Sequence, residues 1–137
     1  MKSLAFGELL WDIFGEEACI GGASLNFAAH IAKMGATSHL ISAVGTDGLG
    51  MAAISAAQRM GVKTSFIRQL PDSKTGTVTV ELSKEGAPSY AIHRNVAWDH
   101  IEIDGKGFEL IEKGPWDFFA FGTLAQRSEC NRKTLTR

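Results

Sequence analysis

Three short stretches of this chain place reactive or ligand-facing side chains at suggestive spacings. In Gly7-Glu8-Leu9-Leu10-Trp11-Asp12 a carboxylate follows a short apolar segment. The carboxyl ends of strands border the ligand crevice of open α/β sheets, so Asp12 could accept hydrogen bonds from a polyol's hydroxyls. A solvated turn aspartate explains the same residue equally well. In Gly21-Gly22-Ala23-Ser24-Leu25-Asn26 a glycine pair opens a helix. Glycines let backbone approach a ligand closely, and a helix start offers unpaired N–H groups to oxygen. Asn26, one turn in, has both a donor and an acceptor for a sugar hydroxyl. On composition alone, a tight turn with a capped helix also accounts for it. The third stretch is Val44-Gly45-Thr46-Asp47-Gly48-Leu49-Gly50-Met51-Ala52-Ala53. Gly48-x-Gly50-x-x-Ala53 imitates a dinucleotide fingerprint, but the acidic residue expected after the next strand is missing, because 64–70 ends Arg68-Gln69-Leu70. Asp47 reads instead as a helix cap, and dinucleotide binding stays a second reading.

Other chemistries lack their residues. His30, His39, His93 and His100 show no metal-ligand spacing and no clustered thiols. Neither a Gly-x-x-x-x-Gly-Lys-Ser/Thr phosphate loop nor a nucleophile elbow occurs. Trp98, Trp116, Phe118, Phe119 and Phe121 read as core. With 14 Lys plus Arg against 15 Asp plus Glu the net charge is -1, so no basic field exists to hold nucleic acid or an anionic membrane. Apolar runs are too short to span a bilayer. The start lacks the apolar stretch of a signal peptide, and Cys19 and Cys130 stand alone, which together point to the cytoplasm and to free thiols.

The elements that must position these residues alternate. Segment 2–9 suits a buried first strand, 24–34 a helix capped by Ser24 and closed by Gly35, 38–44 a second strand, and 48–60 a helix closed by Gly61. Such alternation implies a parallel sheet with helices on its faces. From 64 to 95 the pattern changes. Thr77 to Ser83 and Ser89 to Arg94 alternate polar and apolar residues around a turn at 84–88, suggesting a small β appendage. A helix near 106–113, a third core strand in 116–122 and a final helix from Ser128 to Arg137 follow. A last helix without a return strand, and about three core strands for two helical layers, suggest an α/β domain cut off part way.

In this order the pieces resemble the ribokinase-like carbohydrate kinases, the PfkB family, and bacterial fructokinases most. The matching residues are Gly7-Glu8 with Trp11-Asp12, Gly21-Gly22-Ala23-Ser24-Leu25-Asn26-Phe27-Ala28, Gly35, and Val44-Gly45-Thr46-Asp47 with Gly50. Arg94 with Ala97-Trp98-Asp99, and Phe121-Gly122-Thr123-Leu124, also fit. The resemblance spans the chain but corresponds only to the amino-terminal part of such a kinase. It implies a truncated, Rossmann-like parallel sheet, with core segments at about 1–10, 21–63 and 100–137. A β lid at about 11–20 and 64–99 would close over the sugar and could pair in a homodimer. Asp12, Gly21, Gly22 and Asn26 would hold the sugar, with Arg94 pointing into the closed site. Trp98, where family members have a small residue, would reshape the pocket. The whole family uses ATP and Mg, but the Gly-Ala-Gly-Asp motif bearing its catalytic base is absent here. The resemblance therefore implies sugar binding without catalysis, and no ATP held, by this chain alone. A non-catalytic sugar-binding or lid-mediated oligomerisation module is the alternative.

Overall fold

The computed structural model describes residues 1–137. Its main sheet is built from β1 (Lys2–Phe6), β4 (Thr37–Gly45), β5 (Lys63–Leu70) and β8 (Phe118–Phe121), in the order β5-β4-β1-β8. Every pairing in it is parallel. A second sheet holds β2 (Leu10–Phe14), β3 (Glu17–Gly21), β6 (Gly76–Leu82) and β7 (Pro88–Ile92), in the order β3-β2-β6-β7. There β2 runs antiparallel to β3 and parallel to β6, and β6 runs antiparallel to β7. The helices are α1 (Ala23–Lys33), α2 (Gly48–Arg59), α3 (Gly105–Glu112) and α4 (Glu129–Leu135). The α/β architecture with a parallel sheet and flanking helices agrees with the sequence pattern.

Burial explains the pairing. Parallel strands must be covered on both faces, and β4 is buried along nearly its whole length. One face packs on α1 and α2 through Ala28, Ala29, Ala53 and Ala57 with Leu25, Leu40 and Val44. Alanines on the helices' inner faces let them lie close to the sheet. The other face packs Leu4, Phe6 and Ile41 against Leu10, Val78 and Val80 of the second sheet and against Trp98 and Ile101.

Four expectations are corrected. Residues 64–70 do not belong with the second sheet: β5 pairs with β4, so the main sheet has four strands. A half-buried edge strand and a lid strand both alternate, so periodicity could not separate them. Val96, Ala97, Trp98 and Ile101 are buried in the core, which moves the boundary near 99 inward. Phe119 and Phe121, read as core, are 47% and 55% exposed, because β8 is an edge strand with nothing beyond it. Ser24 does not cap α1. Its hydroxyl donates to the Phe6 carbonyl, while the carboxylate of Glu8 accepts from the Ala23 N–H at 2.9 Å. Asp47 does cap α2, accepting from the Gly50 N–H at 2.8 Å.

Candidate functional site

Asp12 sits inside β2 rather than in a turn after the first strand, opposite Cys19 on β3 and Val78 on β6. Side chains alternate along a strand, so Asp12 shares a face with Leu10, whose partner across β6 is Gly76. Its carboxylate makes no hydrogen bond within the protein, and partial burial raises its pKa above the ordinary carboxylate value. Gly21 makes room for it: a Cβ there would lie 2.5 Å from Oδ2 of Asp12. Gly22 follows at φ +111°, where a Cβ would collide with the Glu8 carbonyl oxygen. That positive φ turns the chain from β3 into α1.

The turn is braced from below by Glu8, which is 2% exposed. One carboxylate oxygen holds the Ala23 N–H; the other is buried without a partner. Asn26 then donates its backbone N–H to the Gly22 carbonyl at 2.9 Å, and its own carbonyl bonds the His30 ring. Its side-chain amide is exposed and makes no hydrogen bond within the protein. Asp12 therefore lies against Gly21, Gly22 follows over Glu8, and Asn26 stands one helical turn beyond. Such a patch offers an acceptor carboxylate, a mixed donor–acceptor amide and close backbone. That combination suits a molecule rich in hydroxyl groups.

Arg94 lies apart from this patch. It is exposed, makes no ion pair, and borders two adjoining polar depressions, one with Asp99, His100, Arg127 and Ser128, the other with Asp47, Lys74, Thr75 and Thr77. Trp98, expected to reshape a pocket, is instead 1% exposed beneath the Arg127 guanidinium, 4.0 Å from its ring centre. A Cβ on Gly76 would strike the Trp98 indole, which puts that ring over the Leu10–Gly76 end of the face carrying Asp12.

Sequence reading missed the network that holds this region. Arg127 forms a two-pronged ion pair with Asp99 at 2.7 and 2.8 Å and donates to the His93 carbonyl at 2.6 Å. Asn131, fully buried, accepts from the Ile101 N–H and donates to the Trp98 and Ala125 carbonyls. Apart from Asn131 and Ala125, these partners are 28 to 34 residues apart and leave no local signal. The glycines at 48 and 50 also have another role. A Cβ on Gly50 would meet the Gly45 carbonyl, and Asp47 already takes the Gly50 N–H that would face a pyrophosphate. No group of three or more His, Cys, Asp or Glu side chains could hold a metal ion. No helix is long and apolar enough to cross a membrane.

Comparison with known proteins supplies independent context. Residues 7–113 match the pfkB family carbohydrate kinase profile. A solved structure from Pyrococcus horikoshii, described as an uncharacterized sugar kinase, superposes with TM-score 0.85 and 27% identity, over 98% of this chain and 47% of that one. The same protein has been solved in complex with ATP. A fructokinase of Vibrio alginolyticus is 36% identical over 72% of this chain and 32% of its own length. An ATP-dependent 6-phosphofructokinase of Thermoanaerobacterium thermosaccharolyticum is 31% identical over 80% of this chain and 36% of its own. The chain spans about a third to a half of the length of these relatives. The matched profile covers most of the chain, and the fold agrees with it: the chain belongs to the pfkB family of carbohydrate kinases.

Proposed function

We propose that this chain is the sugar-binding and lid portion of an ATP-dependent, fructokinase-like carbohydrate kinase, which transfers phosphate to a sugar hydroxyl. One observation carries the reading: the Asp12 carboxylate is partly buried, unbonded within the protein, and lodged against a glycine whose lack of a side chain accommodates it. A carboxylate left without a protein partner in a recess is free to accept hydrogen bonds from a ligand's hydroxyls. Asp12, Gly21, Gly22 and Asn26 hold the sugar, and the second sheet covers it. ATP has no fitting site in this chain. There is no phosphate loop and no Gly-Ala-Gly-Asp stretch, and Asp47 already takes the Gly50 N–H at the glycine-rich start of α2. Phosphoryl transfer depends on positioning and charge stabilisation around the moving group, so this chain alone does not catalyse it. We place the protein in the cytoplasm, in line with its two free cysteines.

Titration calorimetry of the 137-residue chain with D-fructose tests this reading. Binding is expected, and Asp12→Ala and Asn26→Ala should each weaken it about tenfold to a hundredfold, the range for a hydrogen bond involving a charged or polar group. Both variants should keep the parent circular dichroism spectrum. Unfolding instead of lost binding would make the two residues structural. Addition of a carboxyl-terminal portion from a fructokinase relative should restore sugar phosphorylation.

The exposed far end of the second sheet, where the face carrying Val78 and Val80 runs out beyond the core, favours one other reading, lid-mediated pairing. All five residues of β7 are exposed, and Leu82 and Tyr90 are 68% and 62% exposed. A sugar-independent dimer in sedimentation, with no sugar affinity, would select it over the first.

A further inference from the structure

The two sheets present four edge strands, β5 and β8 on the main sheet and β3 and β7 on the second. Three of them are guarded. β5 carries exposed Lys63 and Arg68, β3 exposed Glu17, and β7 begins at exposed Pro88. Charges and proline on an edge discourage pairing with other chains. β8, which reads Phe118-Phe119-Ala120-Phe121, has neither. No segment within the 137 residues covers it. Gly122 donates its N–H to the Phe6 carbonyl of β1, and backbone groups alternate sides along a strand. Phe119 and Phe121 therefore turn their N–H and carbonyl groups away from β1, toward open space.

Side chains alternate faces along a strand, and β8 has a hollow on each face. On the face of Leu4 and Phe6, Phe119 borders an apolar cleft of about 250 Å³ with Phe108, Trp116 and Leu135. On the α1 face lies a recess of about 130 Å³, formed mainly by Ala5, Ala23, Ser24, Phe27, Ala120 and Gly122. A cavity of about 150 Å³ holds a benzene ring, so this recess is close to the size of a phenyl group. Phe118, on the same face, leans edge-on against Phe27 with ring centres 6.1 Å apart. One edge thus carries both an aromatic ring and a hollow of matching size.

We propose that β8 pairs antiparallel with β8 of a second copy of this chain, with Ala120 on the two-fold axis. Two four-stranded sheets then become one of eight strands. Directly opposed residues of an antiparallel pair share a face, which leaves few symmetric registers. With Ala120 opposite its own copy, Phe119 of each chain meets Phe121 of the other, and these two pairs exchange the outward hydrogen bonds. Phe118 stands opposite Gly122 of the other chain, where the recess takes its ring. The neighbouring register, centred on Phe119, would set the Asp117 carboxylate against Phe121 and Phe118 against Ala120, leaving the recess unfilled. Every contact in the first register occurs twice, so the interface closes on itself and growth stops at two chains. The second sheet and Asp12 take no part in it.

Sedimentation equilibrium and site-directed cross-linking of the full chain test the interface without reference to any sugar. A monomer–dimer equilibrium is expected. Phe119→Lys, at a half-exposed position, should raise its dissociation constant tenfold or more while keeping the parent circular dichroism spectrum. Tyr90→Glu, on the second sheet, should leave it unchanged. In a chain carrying Cys19→Ser and Cys130→Ser, Ala120→Cys should form a disulfide-linked dimer under mild oxidation. Opposed residues of a non-hydrogen-bonded pair lie about 4.5 Å apart at Cα, within disulfide reach. Phe119→Cys in the same background, offset from its own copy by two residues, should not cross-link. A monomer at every concentration, or assemblies that grow past two chains, would overturn the proposal. Cross-linking by Phe119→Cys as readily as by Ala120→Cys would overturn it too. So would a dimer that survives Phe119→Lys and dissolves in Tyr90→Glu, which is the signature of lid pairing. Should Ala120→Cys not fold, the response to Phe119→Lys decides alone.

Discussion

At the residue scale Asp12 is a partly buried carboxylate with no partner in the protein. Burial raises its pKa, so the ionised form is less favoured in the folded chain than in the unfolded one. For an acid with a raised folded pKa, the unfolded chain ionises first, and stability falls as pH rises through the carboxylate range. Asp12→Asn should therefore raise the urea midpoint slightly at neutral pH while weakening sugar binding. A lowered midpoint would mark Asp12 as structural. His39 behaves oppositely. Its ring packs against Trp116 and Phe66 at 5.1 and 5.6 Å, and its Nδ1 is buried without a partner. Burial lowers its pKa, helped by Lys63 and Lys2. Below about pH 6.5, the ordinary histidine value, the unfolded chain takes up the proton first and stability declines as pH falls. Denaturant midpoints measured from pH 8 to pH 5 should show this decline, and His39→Phe should flatten it.

At the element scale, local patterns and long-range contacts divide what could be read in advance. Alanine spacing and terminal glycines gave away α1 and α2, and Asp47 announced its cap, because these features lie within one helical turn. The glycine pair and Asn26 were legible for the same reason. Glu8 was quoted only as part of a motif; its bond to Ala23 closes a loop of 15 residues that no periodicity records. The Arg127–Asp99 pair spans 28 residues and was invisible. It ties the segment after β7 to the chain before α4, with side chains only 15% and 9% exposed. Breaking one member of a buried pair leaves an uncompensated charge, so Arg127→Ala should destabilise by about 3 kcal/mol. Chemical denaturation measures it, and a loss below about 1 kcal/mol would show the pair to be solvated. The lid boundary at 64 was misplaced because an edge strand of the main sheet alternates just as a lid strand does.

At the scale of the whole molecule, the main sheet has two edges, β5 and β8, and the β8 edge exposes aromatic side chains. β8 bonds β1 along one edge only, and Phe119 and Phe121 stand exposed in register with the buried Leu4 and Phe6. An apolar cleft of about 250 Å³ continues from Phe119 toward Phe108, Trp116 and Leu135. Unpaired edges flanked by apolar surface promote association. Sedimentation velocity over a range of concentrations should show self-association, and Phe119→Lys with Phe121→Glu should reduce it; a monomer at every concentration would contradict this. The parallel sheet, the turn at Gly22 and the carboxylate over Gly21 nevertheless form one continuous unit, and on it rests the reading of a sugar-binding chain. Calorimetric titration of wild type and Asp12→Ala with fructose and its charged derivatives tests that reading most directly. Saturable binding to at least one sugar, lost by tenfold or more in a folded Asp12→Ala chain, is the expected result. Binding that is absent, or indifferent to Asp12, would contradict it.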